Sequence, residues 1–130
     1  MNKRKRDYFD RQAQWVFDHL PRKVQRLLEE IPVDIEDYPS QKIMREMGLE
    51  YLDDLCGLYT GYTREQRYHV HGTIPHRIKL YREGIISAVF ESVGRVNRDE
   101  LRKQIKSTLL HEIGHYYGMS EEQLEELGYG

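Results

Sequence analysis

The stretch His111-Glu112-Ile113-Gly114-His115-Tyr116-Tyr117-Gly118 decides how this chain is read. On an α-helix, two His four residues apart project from one face, so both imidazoles can reach a single ion. The Glu directly after the first His opens on the same mouth without having to be a ligand. This is the H-E-x-x-H arrangement, in which the Glu acts as general base on a metal-held water. The arrangement works only on a helix, and the residues before it supply one. Asn97, followed three residues later by Glu100, reads as an N-cap with a capping box. Leu101, Ile105, Thr108, Leu109, Glu112 and Tyr116 then recur at helical spacing. No Pro interrupts the run, and Gly118 stands where a helix-ending C′ glycine belongs. The spacing predicts a helix of roughly 20 residues with the motif in its last two turns.

A catalytic zinc takes three protein ligands and keeps one position open. Glu121, ten residues after His111, extends the pattern to H-E-x-x-H-x-x-G-x-x-E. Gly118 permits the sharp turn that would bring Glu121 back to the ion. Ser120 with Gln123 also reads as a capping box, opening a short helix through Leu124 to Leu127. A Glu in the first turn of that helix suits its dipole as well. The expected site is therefore one Zn2+ ion on His111, His115 and Glu121, with Glu112 as catalytic base. Glu122, His69, His71, His76 or water alone are the alternatives for the third position. Tyr117, Tyr129, His71 and His76 are the candidates for a group assisting at the oxyanion.

Working toward the N-terminus, the pattern alternates helix and strand. Phe9, Ala13, Val16, Phe17 and Leu20 mark a first helix. Pro21 fits the opening of a second, carrying Val24, Leu27, Leu28 and Ile31. Ile31, Val33 and Ile35 alternate with polar residues and predict a strand ending near Pro39. Residues 40–47 predict a short helix closed by Gly48. Leu55 to Tyr62 reads as a second strand, although Gly57 and Gly61 weaken it. Residues 63–74 show no period and read as a loop or hairpin tip. Ile78 to Tyr81 gives a third strand, and Ile85 to Val93 a helix that Gly94 ends.

Four blocks besides the motif carry a resemblance. They are Leu20-Pro21, Val33-Asp34-Ile35-Glu36-Asp37-Tyr38-Pro39, Leu58-Tyr59-Thr60-Gly61-Tyr62, and Pro75-His76-Arg77-Ile78-Lys79-Leu80-Tyr81-Arg82. With His111 to His115 and Glu126-Leu127-Gly128-Tyr129, they resemble the minimal zincin-like metallopeptidases of bacteria from about Phe9 onward. In that family Asp is usual where Glu121 stands, and His-Phe is frequent where Tyr116-Tyr117 stand. The resemblance implies an α+β class: a compact minimal zincin-like fold, with a small mixed sheet packed against helices and the active-site helix near the C-terminus. It also implies a zinc metallopeptidase acting on a peptide or protein substrate. An extended substrate would pair with an edge strand, for which Arg77 to Arg82 and Leu58 to Tyr62 are both candidates. Arg77, Lys79 and Arg82 would then tune its charge preference.

Size and charge bound the alternatives. With 130 residues the chain has room for one core, and a net charge of −2 points to neither nucleic acid nor membrane. Lys3, Arg4, Lys5 and Arg6 crowd the start, which reads as a flexible basic segment over residues 1–8 before a single domain over 9–130. That segment is followed by Asp7 and Asp10 rather than an apolar stretch, so it is not a secretory signal. No run approaches the ~20 apolar residues of a membrane helix. The one Cys, Cys56, stands among apolar neighbours and reads as a buried small hydrophobe. These features predict a cytoplasmic protein. Two other function classes fit the sequence. One is a zinc-binding interaction module without hydrolytic activity, and the other a nucleic-acid adaptor using the basic start.

Overall fold

The computed structural model describes residues 1–67 and 76–126. His69, His71 and Tyr129, three of the residues weighed above, lie outside them. Three strands form one mixed sheet in the order β1-β3-β2, with β1 Val33–Glu36, β2 Gly57–Thr60 and β3 Arg77–Tyr81. β1 runs parallel to β3, pairing Val33 with Ile78, and β2 runs antiparallel, pairing Gly57 with Leu80. Around the sheet stand α1 Lys3–Asp18, α2 Arg22–Glu30, α3 Gln41–Met47, α4 Arg64–Arg67, α5 Arg82–Val93, α6 Arg98–Tyr116 and α7 Glu121–Glu126. This is the α+β arrangement expected, with the motif helix near the C-terminus.

α6 is the axis of the molecule, and its sequence explains why. Leu101, Ile105, Thr108, Leu109, Glu112, Ile113 and Tyr116 are all buried, a continuous stripe at helical spacing. α6 packs against β2, β3, α1 and α5. Phe9, Ala13, Ile31, Ile78, Leu80, Ile85, Ile105 and Leu109 have no solvent exposure and form the centre of the core. Asn97 caps α6 by accepting the Glu100 amide at 2.9 Å, as the sequence predicts.

Three readings are corrected. α1 starts at Lys3 rather than Phe9, because Asn2 caps it through the Lys5 amide at 2.9 Å. Part of the stretch read as a loop after Tyr62 is helical, since Thr63 and Gln66 form a reciprocal capping pair (2.9 and 3.2 Å) that opens α4. The strand Arg77 to Tyr81 is not an edge: it lies between β1 and β2, so its main-chain groups are taken on both sides. Its charged side chains are likewise engaged, Arg77 with Asp34 at 3.1 Å and Lys79 with Glu36 at 3.4 Å.

Arg82, the residue after β3, is the most enclosed cation of a network that ties three parts of the chain together. Its Nε and Nη2 each donate to Asp10 at 3.0 Å, and Nη1 donates to Asp37 at 3.0 Å. Asp37 also accepts from Arg6 Nε at 3.0 and 3.1 Å. α1, the end of β1 and the start of α5 are thereby held in one geometry. The Arg6 guanidinium holds the Asp37 carboxyl below its ordinary range, against the opposing effect of burial, and Arg82 adds to the lowering. A carboxyl whose pKa drops on folding binds fewer protons folded than unfolded. Its stabilisation is therefore complete above the ordinary aspartate value, about 4, and is lost as pH falls through the lower folded value. Asp37→Asn is expected to lower stability at neutral pH and to flatten the acid limb of the stability profile. Urea midpoints taken from pH about 6 down to about 3 check this. An acid limb as steep as that of the wild type would remove Asp37 from the account.

Candidate metal centre

The end of α6 and the turn after it bring three donors together. Tyr117 closes the helix, and Gly118 takes the left-handed conformation with φ +78°. The Gly118 amide donates to the His115 carbonyl at 2.9 Å, and the Met119 amide to that of Gly114 at 3.0 Å. This pair of bonds is a Schellman turn, which reverses the chain within two residues. Ser120 then caps α7 in a full capping box with Gln123, at 3.2 and 2.8 Å. Glu121, first residue of α7, is thereby carried back over the last turn of α6. The two features weighed against each other for Glu121, a helix first turn and a ligand position, are compatible, because the cap orients the residue.

The resulting distances are short. His111 Nε2 lies 3.1 Å from His115 Nε2, and the Glu121 carboxylate lies 3.3 Å from the first and 2.9 Å from the second. Among the described residues, His111, His115 and Glu121 form the group of donors that could hold a metal ion, all within 4.8 Å of one another. Glu122 is not among them, and neither is His76, whose ring stands 6.1 Å from that of Tyr116. The Tyr117 ring packs edge-on against Tyr116 at 5.2 Å.

The donor set fits zinc on chemical grounds. His115 Nδ1 stands 3.3 Å from the Met119 carbonyl, which can only accept, so this nitrogen carries the proton. In its neutral form His115 therefore turns the Nε2 lone pair toward His111 Nε2 and the Glu121 carboxylate. A metal ion among the three donors would take the place of the protons that otherwise join such groups. Donors about 2.1 Å from a tetrahedral zinc are about 3.4 Å apart, close to the separations seen. The Schellman turn therefore both positions Glu121 and supplies the carbonyl that orients His115.

Glu112 occupies a different place from the three donors. It is buried, with 5% exposure, yet one oxygen is fixed: Oε1 accepts the Tyr59 amide of β2 at 3.0 Å. The other oxygen, Oε2, lies 3.8 Å from His111 Nε2. Burial raises the Glu112 pKa above its ordinary value, opposed by the two imidazoles when they are charged and by the Tyr59 amide. β2 reaches Glu112 because it crosses α6 unusually closely. A Cβ at Gly57 would sit 2.8 Å from Thr108 Cγ2 and 3.3 Å from Glu112 Cγ, so only glycine lets the strand approach. Gly57 thus marks the contact of β2 with α6.

A cleft of about 520 Å3 runs past the centre. Gln104, Ser107, Thr108, His111, Glu112 and His115 of α6 form one wall, and residues 55–59 with Met47 form the other. Cys56 lines it, but burial and, to a lesser degree, the Glu112 charge raise its pKa to about 11, so it stands there as a neutral thiol.

Residues 28–130 match the family model described as zincin-like metallopeptidase. The chain belongs to this family. The matched span begins inside α2 and takes in every lining residue of the cleft, whereas α1, which packs against α6, precedes it. A comparison with curated proteins gave no match. None of the described helices of this zincin-like domain is long and apolar enough to cross a membrane.

Proposed function

We propose that the protein is a zinc-dependent peptidase in which His111, His115 and Glu121 hold the ion and Glu112 is the general base. The observation that carries this reading is the divided carboxylate of Glu112. One oxygen is tied to the β2 main chain, and the other is turned toward the donor cluster at 3.8 Å from His111 Nε2. The oxygen left free by the Tyr59 bond is thus the one beside the first donor of the cluster. Zinc, once bound, supplies a Lewis acid for the scissile carbonyl and acidifies a water beside it.

The remaining work falls to the chain itself. Glu112 Oε2 takes the proton of the attacking water and later passes it to the leaving amine. Burial acts in the direction a general base needs, raising the carboxyl pKa above its ordinary value. The Tyr59 amide keeps the carboxylate in one rotamer, so Oε2 does not swing away. β2 is the sheet edge beside the cleft. The Cys56 carbonyl accepts from Tyr81 of β3 at 2.8 Å, so by alternation the main-chain groups of Gly57 and Tyr59 face away from β3. An extended peptide lying along β2 would find the Gly57 groups and the Tyr59 carbonyl there, with the Tyr59 amide already engaged by Glu112.

The test is to incubate zinc-loaded protein with a complex mixture of unmodified peptides and to read new termini by mass spectrometry. Cleavage that requires both zinc and Glu112 is expected. Zinc binding with no new termini would favour the interaction-module reading. Removing the third ligand is a separate check. Glu121→Ala is expected to weaken zinc binding by more than the roughly 10–100-fold that loss of an outer-shell partner costs. Competition against a chromophoric chelator measures it, and unchanged affinity would assign the third position to another group.

A further inference from the structure

We infer that the cleft selects peptides by a bulky apolar side chain seated beside the metal centre, on a shelf formed by Met47 and Leu55. Met47 is the residue that sets this selectivity. The inference rests on the peptidase reading and adds to it the class of substrate.

Three observations converge on the shelf. Met47 is 46% exposed although large and apolar, and it lines the same cleft as His111 and Glu112. An exposed methionine on a cleft wall is an adaptable apolar contact, since its unbranched side chain can fit substituents of several shapes. The shelf is also rigidly mounted. α3 ends at Met47 because Gly48 takes φ +65°, and the following turn is pinned by the Asp54 carboxylate, which accepts the Glu50 and Tyr51 amides at 3.2 and 2.9 Å. Leu55 is backed by α5, whose Gly84 touches its carbonyl group. Finally, Met47 and Leu55 are apolar, and no Lys or Arg is among the described residues that line the cleft to pair with an acidic side chain. An apolar peptide side chain would cover Met47 and Leu55, whereas a polar one would lose hydration there without gaining a partner.

Binding separates this inference from the peptidase reading, because it is measured without turnover. The probe is a set of short fluorescein-labelled Gly–Ser–Ala peptides with one Leu moved through each position in turn, and with Ser at the same positions. Their anisotropy is titrated with zinc-loaded Glu112→Gln, alone and combined with Met47→Ser or Met47→Leu. At one position, Leu is expected to bind about tenfold tighter than Ser. Met47→Ser should reduce that Leu-to-Ser ratio about fivefold, and Met47→Leu should retain most of it. No position with a Leu preference, or a preference that Met47→Ser leaves intact, would overturn the shelf. Leu-selective binding without cleavage by the wild type would instead leave the shelf standing and remove the peptidase reading.

Discussion

Replacing Glu112 with Gln is expected to leave zinc stoichiometry unchanged while lowering peptide hydrolysis by a factor of about 10²–10⁴, the usual contribution of a general base. The substitution is nearly isosteric. The Gln carbonyl can still accept the Tyr59 amide that Glu112 Oε1 accepts at 3.0 Å, so β2 and α6 keep their spacing. None of the three donors is altered, since the cluster consists of His111, His115 and Glu121. What is lost is the ability of the second atom to take a proton from water. Metal analysis of the purified variant, alongside hydrolysis at matched zinc loading, separates the two effects. Equal turnover in variant and wild type would exclude Glu112 as the base. Loss of zinc together with activity would mean that Glu112 supports the ion as well.

Gly84→Ala is expected to destabilise the protein by about 3 kcal/mol, the upper part of the range for forcing a methyl group into a packed site. For a chain of this size that corresponds to a melting temperature lower by about 10 °C. Gly84 lies in the first turn of α5, against the segment that leads into β2 and lines the cleft. A Cβ there would run into the Leu55 carbonyl oxygen, and would stand 2.5 Å from its carbon and 3.0 Å from the Cys56 nitrogen. All three are main-chain atoms, and the Cys56 carbonyl is itself bonded to Tyr81 at 2.8 Å, so a rotamer change cannot relieve the clash. Gly94→Ala provides the contrast. Nothing lies within 4 Å of the added methyl, and the cost is that of holding Ala at φ +78°, about 1–2 kcal/mol. Thermal denaturation of both variants measures the order. A Gly84→Ala protein as stable as Gly94→Ala would show that the wall of the cleft yields easily.

The centre was legible in the sequence to the extent that it is built locally. His111, Glu112 and His115 share one helix, and the stripe from Leu101 to Tyr116 fixes which side of that helix is buried. Gly118, Ser120 and Gln123 are short-range signals too: each acts on main-chain groups a few residues away, and each makes the bonds its type predicts. That is why the return of Glu121 could be anticipated, with Glu122 or a distant His as the alternatives.

What the sequence could not give is the partner across the cleft. The bond from Tyr59 to Glu112 spans 53 residues, and the Arg82 bonds to Asp10 span 72. No local pattern encodes such pairs, because a main-chain amide looks the same at every position and a charged side chain reads as solvated until its partner is found. The same limit made Arg77 to Tyr81 a candidate edge strand. Period-2 alternation reveals a strand, but its neighbours are decided only when the sheet assembles in the order β1-β3-β2. The amino-acid sequence by itself thus determined the motif helix, its caps and the turn that brings a third donor to two imidazoles. Tertiary structure alone decided which strand faces that helix, how Glu112 is oriented and which side chains wall the cleft. Those depend on contacts between segments far apart in the chain, and only the packed core holds them in place.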